Sequence, residues 1–254
     1  MADIVFDTIE RLVKPTQQFV RGWMLTSDTA AHGTSIGFAT GTDFWIVGRA
    51  GVLGECTAET AIAGLAFHAP DIITRAWHGV PAAMTHLEVA YTYAQLAIRW
   101  GESELARFDS DRLERLDDYG RRIIDAAPSS LGSIFAGWRN VPVPESVEGR
   151  VALTGHVLRE MRGAAHIAAI TTVGLTPLDA ILASTNAPPR TGPKYAERMG
   201  FVGPFRDPDE IREQRLEADV ITSKILTPYF DVLDADELAD FADVFESTRN
   251  AIDM

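Results

Sequence analysis

Arg159, Arg162 and His166 fall at i, i+3 and i+7 within LREMRGAAHIAAITTVGL, residues 158–175. Spacings of three and four place side chains on one face of a helix. A guanidinium offers a planar fork of donors that matches a carboxylate or a phosphate. An imidazole beside it can give or take a proton near neutral pH. Residues 163–171 are otherwise small and mostly apolar, which leaves room there for a ligand or for another helix. The chemistry of such a face is capture of an anionic group by charge-assisted hydrogen bonds. Arg159 and Arg162 would position the anion, and His166 would act as acid, base or donor. The competing reading is an internal ion pair, to Glu160 or to a carboxylate on a packed helix. Arg162 and His166 are the candidate catalytic residues; Arg159, Arg162, His166, Arg49 and His68 form the candidate ligand-binding set.

Other motifs point away from familiar chemistries. Gly33-Thr34-Ser35-Ile36-Gly37 spells G-x-S-x-G, but a nucleophile elbow needs a strand before it, and Thr29 to His32 do not make one. Gly48, Gly51 and Gly54 give G-x-x-G-x-x-G, without the strand or the spacing of a dinucleotide site. That segment reads as a tight helix-to-helix passage. Arg49 inside it could reach a ligand, although a surface or capping role is simpler. His68 stands at a predicted helix end before Pro70, where capping of carbonyls competes with ligand binding. His86-x-Glu88 has no P-C-x-x-C after it, which excludes a zinc deaminase. No spacing of His, Cys, Asp and Glu marks a metal site, and neither a haem nor any other cofactor is assigned. The single cysteine, Cys56, rules out an internal disulfide.

The elements that must hold these residues are helical. The chain has 254 residues, 46% hydrophobic and 23% charged, a soluble globular composition able to bury a core. The apolar residues Ile4, Phe6, Ile9, Leu12 and Val13 mark a first helix, which Pro15 should interrupt; a second would run from Pro15 to Leu25. The small residues from Thr26 to Thr42 suggest a loop or a closely packed helix. Thr57 reads as the N-cap of a helix to Ala69, and Pro81 as the first turn of one reaching Trp100. A charged helix would span 102–127, Val141 to Pro144 an extended connector, and an amphipathic helix 145–173, with Gly174 as its C-cap. Ser184 to Pro193 is the best linker, and two acidic helices, 208–226 and 235–252, close the chain. The longest uncharged run worth testing, 163–178, is too short to span a membrane. The sequence therefore points to a cytoplasmic protein with no membrane partner.

The 158–175 stretch resembles a family known as SalK-like, largely actinobacterial and described with a helix-turn-helix domain. Its members carry L-R-E-H-R-G-D-G-H-x-A-A-L followed by G-L-x-x-x-E-A. Leu158, Arg159, Glu160, Arg162, Gly163, His166, Ala168, Ala169 and Gly174-Leu175 match. Met161 and Ala164 stand where the family has His and Asp, so a two-His metal site does not carry over. Gly48-Arg49-Ala50-Gly51-Val52-Leu53-Gly54 is similar to the family's G-R-A-x-P-L-G, and Arg11-Leu12-Val13-x-Pro15 also fits. The likeness covers roughly residues 5–185. It implies a mainly helical protein whose C-terminal part is a winged helix of the MarR type. Here this sequence departs, because no two-strand wing is visible after Gly203. Residues 201–254 also carry 14 Asp+Glu against 5 Lys+Arg.

The sequence thus predicts a mainly α, multi-helix bundle: a helical core over 1–185 and a divergent, winged-helix-like C-terminal part over 186–254. Two functions stay open. One is a small-molecule-binding protein or enzyme acting on a carboxylate- or phosphate-bearing compound through the Arg/His face. The other is a ligand-responsive transcription regulator. The net charge of −13 argues against DNA as a partner, since phosphate contact needs placed Lys and Arg. Apolar stripes on the terminal helices suggest a homodimer.

Overall fold

The computed structural model describes residues 2–186 and 189–252. Ala187 and Pro188 of the expected linker lie outside the described residues. Fourteen α-helices occur among the described residues: α1 (Ala2–Phe19), α2 (Arg21–Met24), α3 (Ser27–Ser35), α4 (Gly41–Ala50), α5 (Ala58–Leu65), α6 (Pro70–His78), α7 (His86–Glu104), α8 (Ser110–Ala126), α9 (Ser133–Trp138), α10 (Val147–Thr172), α11 (Pro177–Leu182), α12 (Pro193–Arg198), α13 (Arg212–Phe230) and α14 (Ala235–Ala251). No strand occurs among the described residues, so the C-terminal part has no wing. No helix of the described residues is long and apolar enough to cross a membrane.

α10 is the axis of the bundle, packed against α7, α8, α9, α13 and α1. It was expected to be amphipathic. Instead Val151 to Leu158 are buried without a break, as a helix covered on all sides must be. α7 crosses it closely at Gly101. A Cβ there would lie 2.4 Å from the carbonyl oxygen of Glu148 and 2.8 Å from Cβ of Ala152. Backbone cannot yield as a side-chain tip can, so Gly101→Ala should destabilise the fold by about 1–3 kcal/mol. Urea unfolding that leaves the variant within error of the parent would refute this.

Pro15 does not end the first helix. α1 continues to Phe19 because Leu12, Phe19 and Val20 are buried. The Phe19 ring packs edge-on to Trp100 at 5.2 Å and tilted to Phe245 at 5.4 Å. Burial of those side chains outweighs the roughly 3 kcal/mol that an interior proline costs. α13 likewise runs through Pro228. Pro81 does not open α7: Thr85 does, in a capping box with Glu88. The Thr26–Thr42 stretch is both loop and closely packed helix: Ser27–Ser35 form α3, with Gly33 against Phe44 of α4, and 36–40 are a turn and bend. Gly48 lies against Tyr93 and Gly51 against the His86 carbonyl, which makes 48–54 the tight passage its glycines suggest. The stripe of α13 and α14 (Leu226, Phe230, Leu238, Phe241, Val244, Phe245) is buried in the chain's own core. That removes the apolar face on which pairing of two copies was expected.

Candidate functional site

Between α10, α13, α1, α4 and the α5–α6 turn lies a cavity of about 720 Å³. Arg49, His68, Arg159, Arg162 and His166 all line it. Their convergence depends on three elements. α10 supplies Arg159, Arg162 and His166 from one face. α4 supplies Arg49, one residue before its end at Ala50. The turn after α5, where Ala66 takes a positive φ of 56°, carries Phe67 and His68 inward. Trp45, Phe67, Phe135 and Ile181 give the cavity an apolar wall.

The inner end is an ion cluster. Arg49 does not sit at the surface or cap a helix, as expected. It donates to Glu160 twice, Nε to Oε1 at 3.0 Å and Nη2 to Oε2 at 2.7 Å. Arg159 Nη1 donates to the same Oε1. Burial opposes the charge on Glu160, but the two guanidiniums outweigh it and hold the carboxyl well below the usual range. Burial and the nearby Arg49 lower the pKa of Arg159, yet a guanidinium stays charged in a protein. Arg159 is 25% exposed and Glu160 only 3%. The surplus donors of Arg159 therefore have access to the cavity.

The outer end is a second cluster, on α10 and α13. Arg215 Nη1 lies 2.5 Å from Asp219 Oδ1, without hydrogen-bond geometry. Arg162 Nη2 is 3.9 Å from the same oxygen, and its Nε is buried with no partner. His166 Nδ1 lies 2.9 Å from the hydroxyl of Thr222. That hydroxyl already donates to the Ala218 carbonyl at 2.7 Å. Thr222 can therefore only accept from His166, so the Nδ1 proton is fixed and the Nε2 lone pair is left free. Burial, with Arg162 and Arg215 nearby, keeps His166 neutral. Phe67 stacks on its ring at 5.7 Å.

His68 caps no helix carbonyl. Its ring packs on Trp45 at 4.9 Å, and its Nδ1 is buried without a partner. Burial, then Arg49 and Arg159, push it down to about 4. His156, unmarked by any motif, is fully buried among Trp23, Tyr93 and Trp138. Burial is the main reason it is pushed down to about 3.

These histidines bind a proton at about 6.5 when unfolded and far lower when folded. Their contribution is therefore complete above pH 6.5 and lost as pH falls toward 3–4. Stability should fall by up to about 1.4 kcal/mol per pH unit for each buried histidine in that window. His156→Leu should flatten the slope by one proton in urea titrations between neutral and mildly acid pH. An unchanged slope would exclude His156 as a source.

The remaining motif residues have structural partners. Ser35 is the last residue of α3 and donates to the His32 carbonyl at 2.7 Å. His86 pairs with Glu55 at 2.9 Å, and Glu88 serves its capping box. Among the described residues no group of three or more His, Cys, Asp and Glu could hold a metal. Sequence reasoning missed Arg215, Asp219 and Trp45. Arg215 and Asp219, four apart on α13, were legible as a helix ion pair, but nothing local said which way they face.

The model of a helix-turn-helix family matches residues 8–253. The chain belongs to that family. No curated protein matches the chain, and no solved structure does. Membership corrects the expectation that DNA is not a partner, because the helix-turn-helix is a DNA-reading motif. The error came from charge counts, over the whole chain and over the acidic residues 201–254. A total of −13 governs long-range repulsion but does not decide what one helix can contact.

Proposed function

We propose that the chain is a ligand-responsive transcription regulator of the helix-turn-helix class, with an anionic, partly apolar effector held in the cavity. The observation that carries this is the family match along nearly the whole chain. The cavity supplies the effector class: eight Lys and Arg line it against three Asp and Glu, in a protein that is acidic overall. An excess of cations in a lining that includes Trp45 and Phe67 suits a carboxylate- or phosphate-bearing compound with an apolar body.

We assign the reading unit to α5 and α6. They are joined by the four residues Ala66–Ala69, the turn length of the motif. α13 and α14 have an equally short join, but α14 carries five carboxylates and would repel phosphate. α6 carries one carboxylate, Asp71, and in its last turn His78 and Arg75, which is half-exposed while paired with Asp43 at 2.9 Å. Because Phe67 and His68 in the α5–α6 turn line the cavity, an occupant would bear directly on that unit. A second reading, an enzyme, is favoured by one observation: the fixed lone pair of His166 beside two guanidiniums is arranged as a general base.

The test is selection of bound duplexes from a random-sequence pool at low salt, followed by gel shift. The regulator reading expects a selected motif and affinity that falls with salt. It also expects Arg75→Ala to weaken binding uniformly. Absence of any retained duplex, together with consumption of an aromatic or aliphatic acid, would favour the enzyme instead.

A further inference from the structure

The two ion clusters share an imbalance. In the inner one, Arg49 and Arg159 face Glu160 alone. In the outer one, Arg162 and Arg215 face Asp219, with the exposed Glu10 near Arg162. The neighbouring histidines, His68 and His166, are neutral. Leaving aside the exposed Glu10, each cluster holds two guanidiniums against one carboxylate. Uncompensated charge away from water is costly, and at both ends of the cavity the missing partner is an anion. The donors are also under-used. Arg162 makes no hydrogen bond among the described residues, with its Nε buried. Arg215 is 5% exposed, and its Nη1 lacks a hydrogen bond. Glu10 at the rim also faces Arg162, but it is exposed and accepts from Ser223, so water screens it. Arg159 and Arg162 are three apart on α10, which sets their stems about 5–6 Å apart. Gly163, Phe67 and Trp45 line the same cavity.

We infer that the cavity's ligand is an organic dianion: two anionic groups on one apolar body, the first held by Arg159 with Arg49, the second by Arg162 with Arg215. This rests on the reading of the cavity as an effector site and narrows it. One group would meet the spare donors of Arg159. The other would meet those of Arg162, competing with Asp219 for Arg215. A monoanion can neutralise only one cluster and leaves the other as it is. Asp219 also accepts from Thr185 at 3.2 Å, so release of Asp219 would loosen the chain after α11.

The test is calorimetry of the full chain with matched pairs of acids, each a monocarboxylate and the dicarboxylate of the same benzene, naphthalene or linear alkane skeleton. On the skeleton that fits, the diacid should bind about ten-fold or more tightly than its monoacid, the worth of one further charge-assisted contact. Arg159→Gln and Arg162→Gln should each bring the diacid down to the level of the monoacid. Asp219→Asn, which removes the internal competitor, should strengthen both acids, and it keeps the test alive if Arg159→Gln fails to fold. Monoacids that bind with no gain for the diacids would overturn the two-anion inference while leaving the anionic effector in place. If no acid of any pair binds, the effector reading falls and takes the inference with it.

Discussion

Replacing Glu160 by Gln is expected to destabilise the protein by about 3–5 kcal/mol, the cost of removing one partner from a buried ion pair. Gln keeps the size of the side chain and one carbonyl acceptor. It cannot balance Arg49, whose side chain is 9% exposed, or Arg159 beside it. Two guanidiniums would then share one buried region with no counter-charge. The loss should exceed that of any single apolar truncation nearby, because desolvation of charge costs more than a lost methylene. A double-variant cycle separates charge from packing. Removing both partners, as Arg49→Met with Glu160→Leu, should recover much of the loss, since apolar groups of similar volume replace buried pairs at little cost. Chemical denaturation of the four proteins reads the coupling directly. Additive losses would mean that the bidentate contact is not the source of the effect.

That cluster also marks where the sequence stopped being informative. The face of Arg159, Arg162 and His166 was legible because helical period alone places i, i+3 and i+7 together. The tight passage at Gly48 to Gly54 was legible because only glycine tolerates the contacts with Tyr93 and the His86 carbonyl. The role of Arg49 was not: its partner lies 111 residues away, and no local pattern encodes that distance. His68 failed for a related reason. A helix to Ala69 implies a capping histidine, but α5 ends at Leu65 and the turn swings His68 onto Trp45. The two prolines inside α1 and α13 show tertiary packing outweighing local propensity. The exclusion of DNA failed because a charge sum does not say where single cations stand on the folded surface.

Gly163→Leu is expected to abolish binding of the tightest acid from the matched pairs while the empty protein melts no lower than the parent. A glycine inside a helix costs about 0.5–1 kcal/mol relative to alanine, so its presence in the middle of α10 needs a reason. Close packing is not the reason, because a Cβ at 163 would meet nothing within 4 Å. A left-handed backbone is not the reason either, since Gly163 is not among the residues of positive φ. What Gly163 borders is the cavity, next to Arg162 and one turn after Arg159. Gly163→Ala should therefore stabilise the empty protein by about 0.5–1 kcal/mol through helix propensity alone. Leucine at the same position should extend into the space between Arg159 and Arg162 and exclude the body of a ligand. Thermal melts with and without the acid separate the two effects. The parent should gain stability with acid concentration, as any ligand of the native state requires, and the leucine variant should show no such gain. Undiminished affinity in that variant would place the bound acid elsewhere on the protein and would leave the glycine without a functional reason.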